Sequence, residues 1–409
     1  MKYIILIGDG MADNPIGSLG NRTPLEAALT PNLDSIASSG TFGLFATVPK
    51  GYPPGSDVAN LSILGYDPAR YYSGRSPLEA ASIGVKLEAS DVAFRCNMVT
   101  LADKGNVTIM DDYSAGHIST QDAALLIKTL DADEELRAMG VRFYTGTSYR
   151  HLMVWEHGKD KLRTTPPHDI SDKAIEPHLP SGDGAEALLR LMKRSQDILK
   201  DHPTNKARIV AGKKPATSIW LWGQGRAPKM PTMKDRFGVS GAMISAVDLM
   251  KGIGIYAGLE ILKVPGVTGY LDTNYKGKAE YALESLKKGD FVCVHVEAPD
   301  EAGHNGNLKD KLIAIEDFDR EIVGRVLKGI AATGEPYRIA ALCDHPTPVE
   351  LKTHTSDPVP FVMASSLGAA LVSSGVKAHY CEREAKQTGV FLSESTAFIE
   401  ALFGVKAAV

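Results

Sequence analysis

Three apolar runs of strand length each lead into groups that can hold a cation. Residues 3–7 run into Gly8-Asp9-Gly10; FVCVHV at 291–296 is followed by Asp300 and His304; IAALC at 339–343 is followed by Asp344 and His345. His354 lies nine residues further on, in a loop-like stretch. A single carboxylate or imidazole at a strand end has an ordinary use as a helix cap or turn former. Three aspartates and three histidines in the same kind of place form a mixed oxygen and nitrogen donor set. That set suits Zn²⁺ or Mn²⁺ better than Ca²⁺. A paired site of this type holds two ions about 3.5–4 Å apart.

Ser56 is the natural nucleophile. It closes the rigid loop GYPPGSD, and VANLSIL after it reads as a helix, which places the hydroxyl at a helix N-terminus. A serine hydroxyl is a weak nucleophile until a base or a metal lowers its pKa. A helix N-terminus and a bound cation both stabilise the negative charge of the activated oxygen. The ordinary alternative is an N-cap serine, with Asp57 just inside the first turn.

Strands and helices must alternate for these groups to meet. Thr30-Pro31 opens a helix, with threonine as cap and proline at the first position, and Gly40 stops it. Residues 91–110 alternate in short strand-like runs and turns, residues 185–199 read as an amphipathic helix, and IWLW at 219–222 as a buried strand. Residues 239–255 read as helical and lead to the short run VTGYL; residues 308–330 read as a helix with an apolar stripe at Leu308, Leu312, Ile315, Phe318, Ile322 and Val326. VPFVM at 359–363 is another strand. The pattern predicts a mostly parallel α/β sheet, and ligands of such sheets bind at the carboxyl ends of the strands.

Composition bounds the function from outside. The chain has 409 residues, enough for two domains, with 44% apolar and 23% charged residues, which excludes disordered and fibrous classes. A net charge of −4 argues against a nucleic-acid footprint but leaves room for a small anionic substrate. The opening MKYIILIGDGM lacks the long apolar stretch of a signal peptide, and no run approaches the ~20 residues of a spanning helix. Cys96, Cys293, Cys343 and Cys381 form no CxxC and are predicted to be free thiols, buried at Cys293 and Cys343. The expectation is a cytoplasmic protein with no membrane or nucleic-acid partner. The sequence sets no oligomeric state.

GDGM, TPLEAALTPNLDSIASSG, PPGSDVANLSILGYDPARYYSGRSPLEA, PDEAGH and CDHPTPVELKTH, in this order and spacing, resemble cofactor-independent phosphoglycerate mutase of the alkaline-phosphatase superfamily. The similarity runs end to end and is greater to the short, archaeal-type branch, which is also labelled a proposed homoserine kinase. The resemblance implies one metal held by Asp9, Ser56, Asp344 and His345, and a second held by Asp300, His304 and His354. It implies Mn²⁺ or Zn²⁺, with Mg²⁺ or Co²⁺ as further candidates, and no 2,3-bisphosphoglycerate. The implied reaction moves a phosphoryl group between the 3- and 2-hydroxyls of glycerate by way of Ser56, so the expected partner is a small phosphate ester. Homoserine kinase, or phosphoryl transfer on another ester, remains open on the same fold. Basic groups are needed for the substrate's anionic ends. His117, Arg150, Arg226, Lys278 and Arg75 are the candidates. The histidine-rich GGVHSH loop of the longer mutases is missing; SAGHIST, with one histidine, stands near its place. The predicted organisation is a discontinuous metal-binding domain, 1–82 and 233–409, with a substrate-binding α/β domain, 83–232, inserted.

Overall fold

The structure is a computed structural model that describes residues 1–368 and 378–404. Two compact units emerge: Met1–Tyr72 with Lys229–Val409, and Ser73–Pro228. The insertion thus begins at 73, ten residues before the predicted boundary. The helix Ser76–Ser82 belongs to the inserted unit, where Ser76 Oγ donates to Gly223 O and Arg95 pairs with Glu79 at 3.0 Å.

The first unit is built on one eight-stranded sheet. Its strands are β1 (Lys2–Gly8), β2 (Thr41–Phe45), β3 (Gly241–Ile244), β4 (Glu260–Ile261), β5 (Phe291–Val296), β6 (Tyr337–Leu342), β7 (Val359–Ser365) and β8 (Phe391–Leu392). Their order across the sheet is β4-β3-β5-β1-β6-β7-β2-β8. From β4 to β6 every pair is parallel, whereas β7 runs antiparallel to both β6 and β2. β1, β5 and β6 are continuous apolar runs because helices cover both faces of a parallel sheet. In β5 all six residues are buried. Since β5, β1 and β6 are adjacent and parallel, Asp9 and the residues just after Val296 and Leu342 leave the sheet at one edge.

Two elements depart from the sequence reading. Residues 239–255 are a strand, β3, followed by the helix Asp248–Tyr256, because Ala242, Met243 and Ile244 fill a buried position beside β5. The short run VTGYL that follows lies in irregular backbone. Thr30 does not cap the helix Pro31–Ser39 with its side chain. Buried Asp319 does so instead, accepting from the amides of Asn32 at 3.2 Å and Leu33 at 2.7 Å. Asp319 sits in a π-helical turn, Phe318–Val323, that joins the helices Leu308–Asp317 and Gly324–Ala332.

The inserted unit has an antiparallel five-stranded sheet. Val92–Lys104 pairs with Val107–Asp112, Arg150–Trp155 and Ser218–Gly225, and Arg150–Trp155 also pairs with Val141–Thr147. Leu126, Leu130, Leu188, Leu191 and Trp220 pack in its core, contributed by the helices Thr120–Ala132 and Ala185–Lys200 and by the sheet. All four cysteines are free and buried. Among the described residues no helix is long and apolar enough to cross a membrane.

One ion pair outside the strand ends gives the first unit a pH-dependent clasp. His379 Nδ1 lies 3.0 Å from both oxygens of Asp34, and Nε2 lies 3.0 Å from Leu25 O. Both ring nitrogens face pure acceptors, so the imidazolium alone satisfies both. The hydrogen bond to Asp34 raises the pKa against the opposing effect of burial. A raised folded-state pKa stabilises fully below the unfolded value of 6.5, and that stabilisation is lost as pH rises through the folded value. The gap in Tm between the wild type and His379→Gln is therefore expected to be widest below pH 6.5 and to close in alkali. Thermal melts across this range check it; a gap independent of pH contradicts the assignment.

Candidate metal and nucleophile site

Short turns bring the strand-end residues together. Gly10, directly after Asp9, has φ +64, and a Cβ there would lie 2.7 Å from Asp300 Cα and from Thr347 Oγ1. Only glycine lets the β1 turn approach this closely. Gly10 N and His345 N both donate to Asp344 Oδ1, at 3.1 and 2.9 Å, and Asn60 Nδ2 donates to Asp344 Oδ2 at 2.9 Å. Asn60 also donates to Ser56 O at 2.8 Å, so one side chain ties the nucleophile's helix to the β6 end. Ser56 opens the helix Ser56–Ile63 after Gly55 and is half-buried. Its Oγ lies 3.1 Å from His345 Nε2.

Asp300 and His304 occupy one short helix, Ala298–His304, which follows β5. His304 Nε2 is 3.3 Å from Asp300 Oδ2, His354 Nε2 is 3.4 Å from Asp300 Oδ1, and the two Nε2 atoms are 2.8 Å apart. Nδ1 of His304 faces Lys352 O at 3.1 Å, and Nδ1 of His354 faces Pro54 O at 3.4 Å. A carbonyl oxygen only accepts, so the Nδ1 atoms carry protons and both Nε2 atoms turn toward Asp300. With the protons so placed, both Nε2 atoms are available as donors to a cation. Thr347 Oγ1 donates to Asp300 Oδ1 at 2.5 Å and fixes that carboxylate from the other side.

Three overlapping groups have ligand atoms within 4.8 Å of one another: Asp300, His304 and His354; Asp9, Asp300 and His345; and Asp9, His295 and Asp344. The electrostatics point the same way. Burial, then the charges of Asp344 and Asp300, drive the Asp9 carboxyl well above its usual range. Asp9 Oδ1 is buried without a hydrogen-bond partner. Buried carboxylates are stabilised by a nearby opposite charge, and a divalent ion supplies more of it than any side chain. The donors present therefore fit a metal.

Two buried lysines support the site from behind. Lys311 Nζ donates to Asp13 Oδ2 at 2.8 Å, Thr347 O at 2.8 Å and Ala12 O at 3.2 Å. It pins the loop after β1 to the loop after β6. Lys278 is fully buried and donates to His295 O at 2.8 Å; burial lowers its pKa to about 8. Its ammonium reaches the site through the backbone of β5 and presents no face to solvent.

The inserted unit holds the other basic candidates. His117 is exposed, at φ 48 in the Ser114–His117 turn, and Arg150 lies 4.5 Å from the Tyr149 ring centroid. Tyr113, His117, Tyr149, His168 and Trp222 form a chain of ring contacts with centroids 5.4–6.4 Å apart. Arg95 stacks over Trp222 at 4.3 Å. Burial and the positive charges of Arg95, Arg75 and Arg150 lower the pKa of His168. Arg226 is engaged elsewhere. Its guanidinium binds Asp160 at 3.0 Å, Ser90 O at 2.6 Å and Gly158 O at 2.8 Å, as a strut within the unit.

Comparison with known proteins places the chain in a family. Residues 37–205 match the model of 2,3-bisphosphoglycerate-independent phosphoglycerate mutase. A Geobacter sulfurreducens protein named as a probable enzyme of that kind is 54% identical over 98% of this chain and 99% of its own length. The Methanosarcina acetivorans enzyme of that name is 58% identical over 89% of this chain and 90% of its own. A solved Pyrococcus horikoshii structure matches with TM-score 0.82 and 30% identity, covering 98% and 97% of the two chains. The cofactor-independent phosphoglycerate mutase of Thermoplasma acidophilum matches with TM-score 0.68 and 28% identity over 99% of each. The class is an α/β isomerase built around a candidate metal site. This chain belongs to the 2,3-bisphosphoglycerate-independent phosphoglycerate mutase family.

Lys311 carries a measurable load. Lys311→Ala leaves Asp13 charged and uncompensated in the core, which costs about 3–5 kcal/mol. Urea denaturation is expected to show a fall in stability of that size. A loss below ~1 kcal/mol would mean the three bonds are not what joins the loops.

Proposed function

We propose that the protein interconverts 3-phosphoglycerate and 2-phosphoglycerate without 2,3-bisphosphoglycerate, through a phosphoserine at Ser56. The observation that carries this reading is the half-buried Ser56 Oγ, at a helix N-terminus and 3.1 Å from His345, in a chain of this family. In the first transfer the P–O bond to the 3-hydroxyl oxygen breaks as a P–O bond to Ser56 Oγ forms, and the serine proton ends on the released hydroxyl. Glycerate then turns, and the 2-hydroxyl takes the phosphoryl group back while Ser56 regains a proton. The positive end of the Ser56 helix dipole favours the developing charge. Asn60 keeps that helix in register with Asp344.

Asp9, Ser56, Asp344 and His345 would hold one divalent ion, and Asp300, His304 and His354 the other. When bound, the ions supply positive charge to the serine oxygen and the phosphoryl group. Mn²⁺ and Zn²⁺ suit this mixed donor set, and Mg²⁺ and Co²⁺ are further candidates. Arg75, Arg150 and His117 are the proposed contacts for the substrate's carboxylate and phosphate, with Lys278 acting through the strand it supports. Arg226, held by Asp160, retains only a positioning role in this reading.

Two measurements test the proposal. In an enolase-coupled assay, metal-loaded protein is expected to turn over 3-phosphoglycerate without ATP or 2,3-bisphosphoglycerate. Turnover should be lost on exhaustive chelation and restored by Mn²⁺. Product formed solely from ATP and homoserine, assayed in parallel, would replace the mutase reading with a kinase. Ser56→Ala is expected to lower kcat by more than ~10³-fold, since the covalent step then has no nucleophile. Trapping of phosphate on the Ser56 peptide by mass spectrometry checks the intermediate directly; wild-type turnover in Ser56→Ala would rule it out.

A further inference from the structure

One buried histidine at the strand ends has no place in the ligand set drawn above. His295 is the fifth residue of β5, pairs in register with Ile7 of β1, and is fully buried. Its Nε2 lies 3.2 Å from Asp9 Oδ2 and has no hydrogen-bond partner. The neighbouring Asp9 Oδ1 has none either. A buried polar atom without a partner is costly, so two of them on neighbouring groups need a common explanation. Asp9, His295 and Asp344 each offer a donor atom within 4.8 Å of the others, which is the spacing of ligands around one ion.

The rest of the ring is prepared for that role. Nδ1 lies 3.2 Å from Ser245 Oγ, and this hydroxyl is itself oriented by Val247 N at 3.0 Å. Lys278 Nζ fixes the His295 carbonyl at 2.8 Å. A metal-bound histidine ordinarily gives its second ring N–H to an oxygen, which sets the tautomer and aims the first nitrogen at the metal. Ser245 is placed to accept that proton.

We propose that His295 Nε2 is a ligand of the divalent ion held by Asp9 and Asp344. The inference rests on the two-metal reading and extends it by a second imidazole beside His345. A second imidazole, added to two carboxylates, a serine oxygen and His345, biases this position further toward transition metals and away from Mg²⁺, whose preferred donors are oxygens. His295 is thus a determinant of metal choice as well as of affinity.

The test uses the full chain labelled with [¹⁵N]histidine and loaded with ¹¹³Cd²⁺. A one-bond ¹⁵N–¹¹³Cd coupling at His295 Nε2, assigned by its disappearance in His295→Gln, is expected. Wild-type protein that binds two ions while His295 Nε2 keeps a proton overturns the proposal and makes the ring a hydrogen-bond donor to Asp9. Wild-type protein that binds no ion fails the two-metal reading itself, and this inference with it. Metal competition supplies a second readout. His295→Gln is expected to lose more than ~100-fold in Zn²⁺ affinity at one of two sites, beyond the 10- to 100-fold typical of an outer partner. Its Mg²⁺ affinity should change far less. Equal losses for both metals would contradict the role in metal choice.

Discussion

Three carboxylates share the edge of this sheet, and their mutual repulsion is the constraint that the first unit must answer. Asp9 leaves the central strand β1, while Asp300 and Asp344 lie just beyond the strands that flank it on either side. Parallel pairing makes this convergence unavoidable, because the three C-termini point the same way. Each surrounding feature then supplies positive charge or donors. Amides of Gly10 and His345 bind Asp344, Thr347 binds Asp300, and imidazoles close on both. Asp9 receives the least protein compensation, and its carboxyl is the one pushed well above the usual range.

A second tier of contacts converts this local balance into a fixed geometry. Lys311 bonds to two of the strand-end loops at once, and Asn60 joins the Ser56 helix to Asp344 on one of them. Both side chains are fully buried and both bridge segments distant in sequence. Burying a charged lysine is costly unless it is paired and fully bonded, as it is here. What results is a set of loops that behave as one rigid frame, which suits a site that must hold donor atoms to within a fraction of an ångström.

Much of this was legible in the sequence, for identifiable reasons. Asp9, Asp300, Asp344 and His345 follow the ends of apolar runs and Ser56 stands just before one, and such punctuation survives without knowledge of tertiary contacts. His295 was not legible because it lies inside FVCVHV, where a histidine reads as one more core residue; the polar group within an otherwise apolar strand was the available signal. Lys311 was hidden by the helical stripe through Leu308, Leu312 and Ile315. The helix turns in its first part so that the lysine faces inward, and Leu308 and Leu312 are only partly covered. Helix–strand ambiguity over 239–255 has a simpler cause: Gly241–Ile244 is too short to display a period of two. The cap of the Pro31 helix was likewise invisible, since Asp319 reaches it from 287 positions away. Arg226 followed a strand into a glycine-rich loop, a setting that suits ligand contact, but the chain nearby supplies Asp160 and two carbonyls for it.

The central position of β1 bears on how the chain is made. Among the described residues its strand partners, β5 and β6, begin at Phe291 and Tyr337. All strand pairing of the inserted unit, by contrast, lies within Ser73–Pro228. The insertion can therefore fold while still attached to the ribosome, before the unit that carries it has a sheet. At about 5–20 residues per second, β1 waits roughly 15–60 s for its first neighbour. Throughout that wait an apolar strand with two bare edges is a template for mispairing with other chains. Slowing translation after the insertion would lengthen this exposure without altering a single residue of the finished protein.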